Sequence, residues 1–387
     1  MSEAILTLNI GSSSVKASLR EAARDEAAAI WSGDVGGVGT QAHIESTTLG
    51  VRAAPDLKTD RAAVERLFED CRKGAPDAKI VAVGHRIVHG GARFSGPVLI
   101  DDAAMAALVA LSPLAPSHQP HNLMGVEAAR AAFPHAPQIA CFDTAFHRTM
   151  PEVERLFALP RRYAEQGVVR YGFHGLSYAY IAGILPEHLG ETASGRVIVA
   201  HLGAGASLCA MRERKSVATT MGFTALDGPP MSTRSGSIDP GVILHLIKEE
   251  GMAPGAVSDL LYHQSGLLGV SGISGDMKTL LESSDVRARE AVDLFVYRVA
   301  REIGALAAAI GGLDALVFTA GIGENSPEIR ARVTAQCKWI GAEIDAGANE
   351  RAARCISTPT SRISVWAIPT DEEREIARET RNVFARR

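Results

Sequence analysis

Cysteine is scarce in this sequence and forms no recognisable pairs. Five cysteines, Cys71, Cys141, Cys209, Cys337 and Cys355, are scattered over 387 residues without a CxxC pair. An odd, dispersed set argues against a disulfide framework and a zinc knuckle, and the five read as small buried apolar residues. No GK dipeptide occurs, which excludes a Walker A loop. An excess of positive charge is also missing: 40 Lys and Arg against 44 Asp and Glu give a net charge of −4, so no basic surface is expected for nucleic acid. Long apolar runs are absent, the uncharged stretch from Ile303 to Leu313 falling short of the roughly 18 to 20 residues of a membrane span. The first apolar run has no basic region before it and stops at Gly11-Ser12-Ser13-Ser14. It does not read as a signal peptide, and the expected location is the cytoplasm.

What is present is enough chain for two domains, at roughly 150 residues each. AILTLN from Ala4 to Asn9 and the SVKASLR that follows the serines predict strand, tight turn, strand. RVIVAHLGAGASLCAM repeats this pattern, with Ile5, Leu6 and Gly11 matching Val197, Ile198 and Gly203 at a constant offset of 192 positions. A repeat near half the chain length implies a duplicated domain, and the cleft between two such halves is a natural ligand site. KIVAVGHRIV and QIACFD read as strands; Asn122 to Ala132 and Ala291 to Ile310 read as helices, the second carrying Phe295, Val299, Ile303, Leu306 and Ile310 at steps of three and four. The class is therefore α/β. DALVFT predicts a strand, AGIGEN a glycine turn, and Ser326 a helix N-cap ahead of Pro327. The Ala- and Gly-rich stretch from Ala22 to Thr48 reads as loop or exposed structure.

Three glycine turns, Gly11 to Ser14, Gly203 to Gly205 and Gly321 to Gly323, each follow an apolar strand. Such turns let backbone N–H groups approach an anion and can cradle polyphosphate, plain turn chemistry being the alternative. Gly321-Ile322-Gly323 is not a dinucleotide fingerprint, because Ser326 stands where the third glycine belongs. Lys16 shares a strand face with Ser14 and Ser18 and either reaches back to a phosphate or is a solvated surface lysine. In GHRIVHGG, His85 and His89 are four apart on a predicted strand, about 13 Å, which does not suit a metal pair. Arg86 at the strand end suits a carboxylate or phosphate ligand, or a structural ion pair. His118 lies in a proline-flanked loop, and Asp143 follows the apolar run QIACF, where open α/β sheets put their sites. His174 and Arg234 sit in polar, glycine-rich segments. Two arginines, a histidine and an aspartate beside phosphate-cradling turns fit phosphoryl transfer, in which catalysis is positioning and charge neutralisation. An anionic acceptor needs no general base, and a carboxylate acceptor would explain two arginines.

NIGSSSVK, GHRIVHGG, FDTAFHRTMP, YGFHGLS, HLGAGAS, MGFTALDGPPMSTRSGSIDPG, SGLLGVSGISGDMK, VFTAGIGENSPEIR and IPTDEE, in this order, resemble the acetate kinase family over nearly the whole chain. The resemblance implies an α/β fold of two duplicated actin-like (ribonuclease H-like) domains with a central cleft: residues 1–148 plus 371–387 as the N-terminal domain, and 149–370 as the C-terminal nucleotide-binding domain. It implies reversible transfer of a phosphoryl group from ATP to acetate, giving acetyl phosphate and ADP, with Mg2+, or Mn2+ in its place, in a homodimer. Asn9 and Glu372 would belong to the metal site; Ser12, Ser14 and Lys16 to the phosphate end of ATP. Arg86 would hold the substrate carboxylate, with His118, Val88 and Phe173 around the substrate. Asp143 would take the catalytic carboxylate role, as proton handler or as organiser of the metal and its waters, and His174 and Arg234 would stabilise the transition state. His201, Leu202, Gly203, Ala204 and Gly205, then Asp276, Met277 and Lys278, then Gly321, Ile322, Gly323, Glu324 and Asn325 match the family's three nucleotide-binding segments.

The chain departs from the family pattern in places. Ala204 replaces an asparagine near the phosphates. Ser117 and Ala225 replace a leucine and a proline beside the acyl methyl pocket, which implies relaxed acyl selectivity with propionate used alongside acetate. Leu176 and Tyr178 replace Thr and His with no effect that residue chemistry predicts. Asp371 replaces an asparagine beside Glu372, adding negative charge near the metal and so tightening magnesium. A propionate or butyrate kinase, a noncatalytic ATP-gated module of the actin and Hsp70 type, and a sugar kinase are the rival readings. Arg86 and Arg234 speak against the module, and the apolar surroundings Val88 and Phe173 against hydroxyl recognition.

Overall fold

A computed structural model describes residues 2–11, 14–24, 28–39 and 41–386. The chain forms two compact units: Met1–Phe146 with Gly175–Tyr180 and Asp371–Arg387, and His147–His174 with Ile181–Thr370.

In the first unit the apolar amino-terminal run is strand β1 (Ser2–Ile10), which turns back into β2 (Ser14–Glu21). β3 (Trp31–Gly36), β4 (His43–Ser46), β5 (Gly50–Ala53), β6 (Ala78–Ile87), β7 (Val98–Leu99) and β8 (Gln138–Phe142) complete a sheet in the order β5-β4-β3-β2-β1-β6-β8-β7. β1 is antiparallel to β2 and parallel to β6, and β6 is parallel to β8. The period of two along β1 divides its side chains between two layers. Leu6, Leu8 and Ile10 join the core formed with Val64, Leu67 and Phe68 of α1 (Asp60–Gly74) and Ala128 and Ala129 of α2 (Gln119–Ala132). Ile5 points the other way, into a core with Ala82, Ile139, Cys141 and Ile376 and Ala377 of the last helix, α9 (Glu372–Phe384). Asn9, four residues on from Ile5, therefore lies on the face that α9 covers.

The second unit repeats the scheme. β9 (Val197–Leu202), β10 (Ala206–Arg212), β11 (Lys215–Thr219), β12 (Ala315–Thr319) and β13 (Ser364–Ala367) form a sheet in the order β11-β10-β9-β12-β13. β9 is antiparallel to β10 and parallel to β12, which is parallel to β13. This matches β3-β2-β1-β6-β8 strand for strand and direction for direction, as the internal repeat predicts. The helices used below are α3 (Gly175–Leu189), α4 (Pro240–Lys248), α5 (Met277–Glu282), α6 (Val286–Ala309), α7 (Ala320–Asn325) and α8 (Pro327–Gln336). α8 begins as expected, with the Ser326 hydroxyl capping the Ile329 amide and Pro327 in the first turn.

Three expectations fail. The stretch from Ala22 to Thr48 contributes β3 and β4 to the sheet; Trp31 is fully buried and donates its indole N–H to Asp70 at 3.1 Å, a packing hidden by the small residues around it. AGIGEN is not a turn but the short helix α7: Ala320 adopts a positive φ of 65°, and Glu324 folds back so that Oε1 accepts from the Ala320 amide at 2.7 Å, giving the helix start a carboxylate cap. Cys355 is exposed, while the other four cysteines are buried.

Candidate active site

The first unit gathers its polar residues at the carboxyl ends of the parallel strands, where the strands open toward a ligand. Asn9 is the penultimate residue of β1, Arg86 the penultimate residue of β6, and Asp143 follows β8 directly. Arg86 donates from Nε and Nη2 to Asp143 Oδ2 at 3.0 and 2.7 Å, and from Nη1 to Asn9 Oδ1 at 3.0 Å. Asn9 Nδ2 in turn donates to Glu372 Oε2 at 2.9 Å and to Glu373 Oε1 at 3.0 Å, both in the first turn of α9. The guanidinium also lies 3.9 Å from Glu372 Oε2. Arg86 is thus engaged in an ion pair, one of the two readings its sequence position allows.

Burial and the neighbouring Glu372 carboxylate push Asp143 up to about 6, against the pull of Arg86. The same carboxylates outweigh burial at Arg86 and hold its guanidinium charged. Asp143 Oδ1 is buried and has no hydrogen-bond partner. Lys16 pairs with Asp34 at 3.7 Å across the β2–β3 register. Burial lowers its pKa, but Glu373, Asp34 and Glu372 together raise it above the ordinary lysine value. Burial and Glu372 raise Glu373. Carboxylates outnumber cations here, and a buried carboxylate oxygen stands without a donor. The donors are hard oxygens, so the set fits a magnesium ion. Among the described residues no three His, Cys, Asp or Glu side chains group to hold a metal directly, but magnesium keeps most of its waters and needs only one or two carboxylates.

Of the other residues expected here, Ser12 lies outside the described residues. Ser14 accepts the Gly11 amide through its carbonyl at 2.9 Å. Val88 is buried, its amide held by Asn122 Oδ1 at 3.0 Å. His118 occupies the N-cap position of α2 and is half-buried. The residues that follow it tie this helix to the strand ends: Gln119 exchanges bonds with the backbone of His89, and Asn122 Nδ2 donates to the Ile10 carbonyl at 3.0 Å. His85 is buried against Gln138 at 2.7 Å.

In the second unit four residues converge on the β9–β10 turn. His174, just before α3, adopts a left-handed φ of 58°. Its Nδ1 lies 2.8 Å from Ser207 Oγ, and its ring stacks on His201 at 4.2 Å. A Cβ added at Gly205 would lie 3.2 Å from His174 Nε2 and 3.8 Å from Arg234 Nη1. The absent side chain at Gly205 therefore lets both side chains approach the turn backbone. Arg234 is buried and donates from Nη1 to the Ala225 carbonyl at 3.0 Å.

The three expected nucleotide segments also meet. A Cβ at Gly203 would lie 3.7 Å from Ala320 Cβ and 4.0 Å from the Gly321 amide. Ala204 accepts the Ser232 amide at 3.1 Å, and a Cβ at Gly275 would lie 2.7 Å from the Ser232 carbonyl, just before Asp276. Their side chains are not equally available. Leu202 and Met277 are buried in the core. Asp276 caps α5 by accepting from Thr279, Lys278 is largely exposed, and Ile322 is half-buried and Gly323 buried. The Glu324 carboxylate accepts the amides of Ala320 and Thr370, and Asn325 Nδ2 donates to the Gly321 carbonyl at 2.9 Å. Phe173 is buried, its carbonyl bonded to His147.

One departure from the family pattern does not act as expected. Asp371 is not a surplus charge: Arg20 Nη2 donates to both its oxygens at 3.0 and 2.7 Å, and Oδ1 caps α9 by accepting the Arg374 amide. Leu176 and Tyr178 are buried, Leu176 in the Ile5 core and Tyr178 beside the Phe146 ring.

Residues 4–378 match the model of the acetokinase family. The chain belongs to that family. It is 53% identical over 388 residues to an acetate kinase of Rhodopseudomonas palustris, and 48% identical over 394 residues to one of Methylocella silvestris, with 98% of both chains covered in each pairing. Among solved structures, a propionate kinase from Francisella tularensis subsp. tularensis superposes with a TM-score of 0.90 at 35% identity. An acetate kinase from Porphyromonas gingivalis gives 0.86 at 37% identity; 99% of this chain and all of each structure are covered. The repeated five-stranded α/β unit is the actin-like, ribonuclease H-like fold.

Several residues that hold these two clusters together escaped sequence reasoning. Glu373 shares the Asn9 amide with Glu372, and the adjacent pair in TDEE was a usable signal. Ser207, two residues past the HLGAG turn, and Gln119 and Asn122, one and four residues past His118, carry no local mark of their role.

Proposed function

We propose that this chain is an acetate kinase, transferring the γ-phosphoryl group of ATP to acetate and back. An acetate oxygen forms the bond to Pγ, the bond from Pγ to the β,γ-bridging oxygen breaks, and acetyl phosphate and ADP result with no proton to remove. The observation that carries this reading is Arg86, a fork of donors held in place by Asp143 and Asn9 at the strand ends. A fixed guanidinium suits a carboxylate acceptor. In the proposed mechanism Arg86 orients the carboxylate, exchanging part of its hold on Asp143 for the substrate. His174 and Arg234 spread the charge of the phosphoryl group in flight, where each interaction present only in the transition state raises kcat. The turn from His201 to Gly205 and the segments Asp276–Lys278 and Gly321–Asn325 hold the nucleotide, and Ser12, Ser14 and Lys16 its phosphate end. His118, Val88 and Phe173 border the acyl group. Asn9 and Glu372, with the free oxygen of Asp143, would hold Mg2+ or Mn2+, which when bound neutralises phosphate oxygens.

The homodimer is proposed with a specific surface in support. α4 is rich in apolar residues, none of them buried in the single chain, and Val242, Leu244 and the preceding Ile238 are exposed; an uncovered apolar helix fits a second copy. No described helix is long and apolar enough to cross a membrane, and a cytoplasmic location is proposed. A propionate-using enzyme is the second reading, favoured by the small Ser117 and Ala225. Trapping of acyl phosphates with hydroxylamine across formate, acetate, propionate and butyrate, with ADP release followed in parallel for these acids and for glucose, separates these. Acetyl hydroxamate formation is expected, a specificity constant for propionate at least tenfold above that for acetate would move the assignment to the second reading, and phosphorylation of glucose alone would overturn both.

A further inference from the structure

Beneath the loop that carries His174 lies a buried polar chain with no part in the chemistry above. His147 and Ser216 are each 1% exposed and Cys209 is fully buried. His147 Nε2 lies 2.9 Å from the Phe173 carbonyl and Nδ1 lies 2.9 Å from Ser216 Oγ. The Cys209 thiol stands 3.4 Å behind that hydroxyl, and Thr149 donates to the Ser216 carbonyl at 2.8 Å.

The proton positions follow from valence. A carbonyl oxygen only accepts, so Nε2 carries the hydrogen. Burial lowers His147 to about 4, which keeps the ring neutral, so Nδ1 is an acceptor and the Ser216 hydroxyl donates to it. The ring is locked in one tautomer and one orientation.

The Phe173 carbonyl shares its peptide plane with the His174 amide. Holding that oxygen restrains the rotation about the His174 N–Cα bond, where φ is 58°. A left-handed non-glycine residue is strained and persists only when its surroundings fix it. The loop presses directly on the imidazole: Gly172 has a φ of 75°, and a Cβ there would fall 2.6 Å from the His147 ring and 2.8 Å from Thr219 Cγ2.

We propose that His147 is a positioning residue for phosphoryl transfer: its Nε2–H bond to the Phe173 carbonyl keeps His174 left-handed, with Nδ1 on Ser207 and Nε2 beside Gly205 and Arg234. The proposal rests on the reading that His174 acts on the phosphoryl group. Two variants separate positioning from bulk packing. H147L fills the space without a donor, whereas H147Q places an amide N–H near the position of Nε2. For H147L, kcat is expected to fall about 100-fold, the scale of an ångström-sized misplacement, with KM for ATP and acetate within about threefold. H147Q is expected to recover kcat to within about fivefold of the parent, with an unchanged shape of the kcat–pH profile. Crystal structures should show His174 off Ser207 in H147L and on it in H147Q.

Folded H147L that retains more than half of kcat, or that loses activity only through KM, overturns the proposal. So does a folded H147Q as impaired as H147L. If H147L does not fold, H147Q decides: a 100-fold loss with His174 still on Ser207 contradicts positioning, and retained kcat with His174 in place supports it. If the parent protein phosphorylates no carboxylate, the functional reading has failed instead, and the His174 geometry in the H147L and H147Q crystals alone judges the positioning.

Discussion

Replacing Glu379 by glutamine should stabilise the protein, and by an amount that depends on pH. Glu379 lies two turns beyond Glu372 on α9, and its Oε2 is buried with no hydrogen-bond partner. Burial, then the Glu375 carboxylate, push its pKa up to about 8 from an ordinary 4.5, with the nearby Asp143 acting in the same direction and Cys141 and Arg378 opposing. The native state thus keeps a proton that the unfolded chain releases. Stability is fully present below about pH 4.5 and is lost progressively as pH rises toward 8. At pH 7 the gap between pH and the unfolded value is two and a half units, which at about 1.4 kcal/mol per unit amounts to about 3 kcal/mol. Glutamine keeps the shape and does not titrate, so E379Q should gain about 3 kcal/mol at pH 7, a Tm rise of about 4 °C for a chain of this length. At pH 5 the gain should be under about 1 kcal/mol. Scanning calorimetry of both proteins from pH 5 to 9 reads this directly. A gain independent of pH, or a loss that grows with pH, would mean that the carboxylate is ionised and paired in the native state.

Other outcomes follow from the two residue clusters. R86Q should lower kcat/KM for acetate by about 100-fold or more. It should also raise the pH at which the Asp143 carboxyl ionises, expected near 6 in the parent, because the guanidinium that favours the ionised carboxylate is gone; an NMR titration of that carboxyl that does not move would detach Asp143 from Arg86. R234A should reduce turnover by at least 100-fold while calorimetric ATP binding persists, and an unchanged rate would remove Arg234 from the reaction. D371N should cost about 1 to 3 kcal/mol, since the buried Arg20 guanidinium loses its ion pair with the partly exposed Asp371. The magnesium concentration for half-maximal rate should stay within twofold, and a tenfold change would show that the Asp371 charge does reach the metal.

Much of the architecture was readable because periodicity survives folding. The odd residues of β1 face α9 and the even ones face α1 and α2, so AILTLN already contained the layer order and the placement of Asn9. The offset between Ile5 and Val197 contained the repeated sheet order. Trp31 and Val35 were hidden because their strand is padded with Ser and Gly, which carry no hydropathy signal, although they fit a tight sheet. AGIGEN reads as a turn because its helix depends on Glu324 folding back to the Ala320 amide, a cap invisible in local propensity. The Asp371 charge reads as metal-directed because Arg20, hundreds of residues away, cannot be paired with it by inspection. Residue chemistry beside the glycine turns singles out Arg86, Asp143, His174 and Arg234 as a set, and the family resemblance supplies the roles proposed for them. Ser207, by contrast, acquires meaning only through its distance to His174.

In the proposed reaction a carboxylate oxygen of the acceptor attacks the γ-phosphorus of ATP. Incubating the purified protein with ATP, magnesium and acetate labelled with 18O in both oxygens, and following phosphorus by NMR, tests it most directly. An acetyl phosphate signal shifted by a single 18O on phosphorus is expected, with unlabelled ADP as the co-product. Labelled acetate that leaves the phosphorus spectrum of ATP unchanged, under conditions where the nucleotide binds, would contradict it.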